Sequence, residues 1–382
     1  MLFYKLEQHL FFYDLHIRPV NFHERNRFSC PLLKTSDKNH TKIKWLWYFY
    51  HMEMTSEINE KIKLLKEKYS QMGQDMSSYL DGLLLSNYLT YWDYIRLDTL
   101  LSIQQPQTDF PDEQIFIMYH QITELYFKLC LHEIEQISNN GRNVLDNGDD
   151  RGWKDILDPD FFLERLKRLN NYFKALTGSF AIMIEGMDRN QFLKFRMALL
   201  PASGFQSAQY RKIEITSTDF INLVHKDKRA QYSGTVTNSM IEDMFNYSYW
   251  KSGATELKTG KKTLTLQQFE KKYKDEFIAA GKEFKDRNIW KKYMGLSEDD
   301  RARQDIQQEL KKFDANVNIN WPLVHYKSAV KYLSKDSADI AATGGTNWQK
   351  YLPPRFQKRV FYPELWNEKE IEEWGLAFLN EN

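Results

Sequence analysis

Two cysteines, Cys30 and Cys130, are all that the 382 residues carry. They are too few and too far apart for a disulfide framework or a thiolate metal site, and this usage fits a reducing cytoplasm. Glycine (16) and proline (10) are sparse, which favours long uninterrupted helices. No apolar run approaches the roughly 20 residues that a membrane helix needs. The N-terminal stretch is broken by charges and lacks a small-residue cleavage site, so a soluble, unexported chain is expected. Lys plus Arg (53) and Asp plus Glu (52) nearly cancel to +1, leaving no long-range field for nucleic acid or an anionic membrane. HExxH, paired ExxH and histidine–carboxylate clusters are missing, as are GxGxxG and a P-loop. Zinc, di-iron and the usual nucleotide chemistries therefore lack their residues.

What the chain has is bulk: 42% hydrophobic residues and 15% aromatic ones, with 25 Phe, 22 Tyr and 10 Trp. That suffices for a substantial core, and bulky aromatics suit helices packed around flat ligands. Residues 1–53 stand apart. They hold five of the nine histidines, at spacings that lack partner ligands for a metal, and show no sustained helical period. We expect an N-terminal extension there, with a native start near Met52 or Met54, followed by a single helical domain over 54–382.

From residue 54 the pattern is helical almost throughout, which predicts an all-α fold. Thr55 or Ser56 suits the N-cap of an amphipathic helix. Asp109 or Asp112 is placed to cap a helix running through Ile137, and Asp160 to open the next. Asp188 with Gln191 reads as a capping box for a helix that Pro201 ends. Ser203 with Gln206 reads as a second capping box, opening residues 205–215. The stretch 226–315 is polar and lysine-rich, as solvated helix faces usually are.

Residues 116–128, FIMYHQITELYFK, set a histidine among large aromatic side chains. At helical spacing Phe116, His120, Thr123 or Glu124 and Phe127 share one face, while Ile115, Ile122, Leu125 and Leu129 fill another. One face suits a core and the other a ligand. Beyond the extension only His120, His132, His225 and His325 remain. A lone histidine on an apolar helix is more often a satisfied core residue than a ligand. His120 and His325, however, lie in two distant aromatic helices and could approach one planar cofactor from opposite faces. A haem with a proximal imidazole is the natural candidate.

Four segments in fixed order then carry a resemblance: Tyr91, Tyr94 and Ile95 in YWDYIRLDTLLSIQ; PDEQIFIMYHQITELYFK; FLKFRMALLPASGFQSAQYR; and WPLVHY followed by ATGG. Together, over about residues 80–352, they resemble the tryptophan 2,3-dioxygenase family. The resemblance implies an all-α haem enzyme with haem b between the helices carrying His120 and His325. In such an enzyme both atoms of O2 are inserted across the indole C2–C3 bond of L-tryptophan, giving N-formylkynurenine, the first step of the kynurenine pathway. It implies roles by position. His325 matches the proximal iron ligand, and His120 the distal residue that contacts the indole nitrogen. Phe116 and Phe192 match walls of the indole pocket, Arg196 the partner of the substrate carboxylate, and Thr343 the loop residue closing over the amino acid's polar end. Ser203 and Gly204 match positions beside the haem. Tyr91, Tyr94 and Ile95 match residues that enter the pocket from a neighbouring subunit, implying a homotetramer.

The chain departs from the family pattern in places. Pro111, Asp112 and Glu113 replace a His-Asp-Glu, and Tyr126 replaces a tryptophan. Pro322 stands three residues before His325, and the interval from His325 to Thr343 is about four residues longer than usual. Two other outcomes stay open at this level: a related haem enzyme that monooxygenates an indole amino acid, and a non-catalytic haem or tryptophan sensor.

Overall fold

The computed structural model describes residues 56–87, 89–200, 204–232, 234, 236–255, 261–334 and 352–376. The N-terminal extension, Ser203 and Thr343 lie outside these. The chain divides into two compact units, residues 1–94 and 95–382.

In the first unit, helix α1 (Ser56–Gln71) leads into α2 (Met76–Leu85) and the single turn α3 (Tyr91–Tyr94). Asp75 starts α2 by accepting from the backbone N–H groups of Ser77 and Ser78 at 3.2 and 3.0 Å, as an N-cap should. Tyr69 of α1 stacks on Tyr79 of α2 with ring centroids 4.4 Å apart.

The second unit begins with α4 (Leu97–Ser102) and α5 (Pro111–Ser138), followed by a hairpin of β1 (Arg142–Val144) and β2 (Asp150–Trp153). The strands are antiparallel, with Arg142 opposite Trp153 and its guanidinium 3.8 Å from the indole centroid. Then come α6 (Pro159–Ser179), α7 (Ala181–Glu185), α8 (Arg189–Phe195), α9 (Ala208–Ser217), α10 (Asn238–Asn246) and α11 (Leu264–Phe284). The C-terminal part holds α12 (Ile289–Met294), α13 (Glu298–Arg301), α14 (Gln304–Ala315), α15 (Trp321–Leu333), α16 (Pro354–Gln357) and α17 (Glu368–Glu372). The expected all-α class holds, and the hairpin is the one named sheet among the described residues.

Several expected caps move. Neither Asp109 nor Asp112 caps α5: the N-cap position is Phe110, and Pro111 starts the helix because its missing N–H has no intrahelical acceptor to lose. The Asp112 carboxylate instead accepts from Asp188 N–H at 2.6 Å. Buried Glu113 gathers the preceding loop by accepting from Gln107 and Thr108 N–H, each at 2.8 Å. Asp158, not Asp160, caps α6. Asp188 does cap α8, but Arg196–Leu199 tightens into a 3-10 turn instead of continuing the helix. Ser207, not Ser203, caps α9, after a 3-10 turn at Gly204–Gln206.

The core runs where α5, α6 and α14 meet. On α6, Phe162, Leu166, Leu169, Phe173 and Leu176 are buried at helical spacing and pack against Phe127, Ile134 and Ile137 of α5 and Phe313 of α14. Buried Glu133 of α5 fastens the α5–α6 pair, accepting from Arg165 at 2.9 Å and from the Tyr172 hydroxyl at 3.1 Å. The expected apolar face of α5 is a correction: Ile122, Leu125 and Leu129 stay 41–49% exposed in the single chain. The face carrying Tyr119, Thr123, Phe127 and Cys130 is the buried one.

Helices α14 and α15 are joined by a π-helical turn at Asn316–Asn320. Pro322 offers no N–H to the Asn318 carbonyl and its ring crowds that position, and a wider turn relieves both. Side-chain amides hold the widened turn: Asn316 donates to Asn170 at 2.9 Å, Asn320 to Asn316 at 3.0 Å and Asn318 to Asp314 at 2.6 Å. The far end of α15 is gripped by Arg189, which donates to the Lys331 and Ser334 carbonyls at 3.2 and 3.0 Å, satisfying acceptors that a helix end leaves open.

Asp314 is the polar centre of this region, fully buried. Its carboxylate also accepts from Phe361 N–H at 3.0 Å, Tyr362 N–H at 3.1 Å and Trp366 Nε1 at 3.0 Å. Replacing Asp314 by Ala strands these donors, and we expect a loss of about 3 kcal/mol or more. Urea denaturation followed by circular dichroism measures it, and a change under about 1 kcal/mol contradicts the assignment.

Candidate active site

A cavity of about 450 Å³ opens in the second unit between α5, α7, α8, α9, α15 and the segment after α16. Its size is that of a small-molecule or cofactor pocket, about 300–1,000 Å³. Phe116, Tyr119, His120 and Phe127 face it from α5, Phe192 from α8, and Trp321, His325 and Tyr332 from α15. His120 and His325, 205 positions apart in sequence, thus share one wall-to-wall space.

Both imidazoles are set up in the same way. His325 Nδ1 lies 3.1 Å from the Trp321 carbonyl oxygen one turn earlier, and His120 Nδ1 lies 2.7 Å from the Phe116 carbonyl. A carbonyl only accepts, so Nδ1 carries the proton in each ring and Nε2 keeps its lone pair. Burial depresses the basicity of both rings. His325 falls from the ordinary 6.5 to about 4, its desolvation outweighing the Trp321 bond, with the neighbouring His120 adding to the fall. His120 is lowered by desolvation, partly offset by the Phe116 carbonyl and by the Glu124 carboxylate. His120 nevertheless retains accessible surface, because its ring lines the cavity.

Aromatic contacts fix the rings. Trp321 and Phe180 meet His325 edge-on, with centroids 4.4 and 4.6 Å away. Phe116 lies 4.1 Å from His120 and 6.2 Å from Phe192, which in turn sits 4.7 Å from Tyr332. These flat walls suit a planar ligand.

Four of the residues singled out in the sequence, Phe116, His120, Phe192 and His325, come together at the cavity. Arg196 does not line it among the described residues; it is half-buried at the start of the 3-10 turn whose Leu199 does. Gly204 opens the turn that carries Phe205 to the wall. Tyr91 and Tyr94 belong to the first unit and are 70% and 76% exposed, while Ile95 begins the second unit. Ser203 and Thr343 lie outside the described residues. The sequence reading missed Tyr210, Arg211, Tyr249, Asn318, Tyr332 and Arg359, all at the wall. Tyr332 had a signal, since it stands two turns after His325 on the same helix.

Among the described residues no three His, Cys, Asp or Glu side chains converge on a metal position. A metal held by a single imidazole here needs its other ligands from a macrocycle, as in a haem. The neutral, tautomer-fixed His325 in an aromatic cavity fits that group, and the Trp321 carbonyl supplies the outer contact that orients a ligating imidazole.

The depressed pKa has a consequence for the cofactor-free chain. His325 takes up a proton near pH 6.5 when unfolded and only near 4 when folded, so between these values the unfolded chain binds more protons. The stability gained from keeping it neutral is full above about pH 6.5 and is lost as pH falls through about 4. His325→Phe should flatten that stretch of the stability–pH curve, read as urea midpoints from pH 7 to 4. An unchanged curve would contradict the burial of the ring.

Comparison with known proteins identifies the lineage. The sequence profile described as Tryptophan 2,3-dioxygenase matches residues 83–335. A tryptophan 2,3-dioxygenase of Bacillus thuringiensis subsp. konkukian is 26% identical over 285 residues, covering 73% of this chain and 91% of that protein. One from Alteromonas mediterranea is 31% identical over 248 residues, covering 60% and 63%. One from an Anaeromyxobacter species is 38% identical over 126 residues, covering 33% and 42%. With two thirds of its length matched and an all-α fold that gathers His120 and His325 at one cavity, the chain belongs to the tryptophan 2,3-dioxygenase family.

Proposed function

We propose that this chain is a haem-dependent tryptophan 2,3-dioxygenase that opens the indole ring of L-tryptophan with O2 to give N-formyl-L-kynurenine. The observation that carries the reading is the pair of neutral imidazoles, each with Nε2 unprotonated, facing one aromatic cavity. His325 would hold the iron through Nε2, and the haem supplies the oxygen chemistry when bound.

The remaining work falls to side chains. His120 Nε2 is an acceptor, and an indole N–H is a donor, so the two make a hydrogen bond that orients the ring. Phe116 and Phe192 wall the indole and keep water from it. Arg196 takes the carboxylate through its planar guanidinium, and Thr343 closes over the same end of the amino acid. Ser203 and Gly204 would be among the residues that hold the haem. We place the enzyme in the cytoplasm; no helix among the described residues is long and apolar enough to cross a membrane.

A homotetramer with Tyr91, Tyr94 and Ile95 of each chain completing a neighbour's pocket belongs to the same reading. Support comes from apolar surface that a lone chain leaves to water: Tyr91, Trp92 and Tyr94 in the first unit, and Met118, Ile122, Leu125 and Leu129 along one face of α5 in the second. Monomers rarely leave such stripes open. Sedimentation should show a tetramer, and a fully active monomer would remove this point.

The deciding assay mixes ferrous protein with L-tryptophan and O2 and looks for N-formylkynurenine. A singly oxygenated product, or binding without turnover, would replace the dioxygenase reading. His325→Ala should lose stable haem and turnover together. His120→Ala should keep haem while activity drops. Arg196→Ala should raise KM on the order of tenfold or more with a smaller change in kcat, because the ion pair forms on binding and persists through reaction. An unchanged KM counts against that role.

A further inference from the structure

Two arginines on the cavity wall have no part in the chemistry above. Arg211 of α9 and Arg359, after α16, both line the cavity and share one buried carboxylate, Glu214. Arg211 Nη1 lies 2.7 Å from Glu214 Oε2 and Arg359 Nη1 lies 2.7 Å from Oε1. The three side chains are only 8%, 7% and 2% exposed. The Tyr249 hydroxyl donates to the same carboxylate at 2.5 Å. The other polar groups of this cluster, Tyr210, Asn318 and the Val317 carbonyl, are neutral. Two guanidiniums thus touch one carboxylate directly, and the next acid, Asp314, reaches Arg359 only through Asn318.

The two arginines differ in how well they are served. Arg359 is saturated: Nε donates to Asn318 Oδ1, Nη2 to the Tyr210 hydroxyl at 2.9 Å and to the Val317 carbonyl at 3.2 Å, and Nη1 pairs with Glu214. Arg211 is not, for its buried Nε has no acceptor. Two guanidiniums that share one carboxylate on a cavity wall, the less fully served of them on α9, suit an anion in that cavity.

The position says which anion. Asn318, which fixes Arg359, precedes His325 by seven residues on the same continuous helix, roughly 10 Å along the axis at 1.5 Å per residue. The cation is therefore displaced along the wall from the imidazole. It stands where the rim, not the centre, of a flat ligand held by His325 would reach. The wall of Phe116, His120 and Phe192 is built from other helices, α5 and α8.

Resting on the haem reading above, we infer that Arg211, backed by Arg359, seats a carboxylate on the rim of the tetrapyrrole and not the carboxylate of the amino-acid substrate. The test titrates the cofactor-free full chain with haem and with the dimethyl ester of haem, which lacks free carboxylates, following Soret absorbance. The wild type should bind haem more tightly than the ester. Arg211→Met should weaken haem on the order of ten- to a hundredfold and leave the ester's affinity unchanged. Arg211→Lys, which keeps the charge, should recover part of the loss and guards against a folding defect. Equal wild-type affinity for haem and ester overturns the seat alone, as does an equal loss for both in Arg211→Met. Weakened L-tryptophan binding with haem affinity intact would also overturn it, by assigning Arg211 to the substrate. A wild-type chain that takes up neither compound overturns the haem reading and this inference with it.

Discussion

One buried carboxylate organises the region on which the site depends. Asp314 ends α14 and draws in Asn318 from the π turn, the backbone of Phe361 and Tyr362 and the Trp366 indole. It thereby ties the chain's last described segment to the helix that bears His325. Burial raises its pKa to about 6, while the hydrogen bonds from Phe361, Asn318, Tyr362 and Trp366 favour its ionised form. The same contacts set Arg359, two residues before Phe361, against Asn318 and Glu214. A single side chain in the core thus places one cavity wall and fixes its charge.

The second constraint is keeping two imidazoles neutral. Each is held by the carbonyl one turn earlier on its own helix, so the helix that positions the ring also chooses its tautomer. A carbonyl oxygen has two lone pairs, so it can take the ring N–H beside its helical partner. The π turn and Pro322 loosen the ladder at the Asn318 carbonyl, one turn before the ring's own acceptor at Trp321. The departure at Pro322 is absorbed by the π turn and leaves the Trp321 carbonyl to His325.

The helical class, the long α5 and α6 and the convergence of His120 with His325 were all legible, because apolar periodicity and aromatic clustering are local signals. Cap positions were less so. Asp112 looks like an N-cap in sequence but spends its carboxylate on Asp188, 76 residues away, and no local rule distinguishes these uses. The face of α5 was misassigned for a related reason: Ile122, Leu125 and Leu129 are as apolar as any core residue, and composition does not say whether the covering surface comes from the same chain. Arg211, Arg359 and Glu214 were unreadable as a unit, since their meaning lies in burial and in a two-to-one charge ratio assembled from segments 145 residues apart.

Helix α5 serves the core, the cavity and the outer surface at once. Its residues divide among three tasks, the outward set by angular position and the other two along its length. Phe127, Cys130, Ile134 and Ile137 fill the core, Phe116, His120 and Glu124 face the cavity, and Met118, Ile122, Leu125 and Leu129 face outward. Because 3.6 residues per turn face the outer set away from the other two, substitution there leaves the tautomer of His120 and the packing of Phe127 untouched. A change at Phe116 crosses tasks, since its ring lines the cavity while its carbonyl orders His120. The carbonyl is backbone and survives any non-proline replacement. The helix therefore secures the proton position of His120 independently of the side chain that walls the pocket beside it.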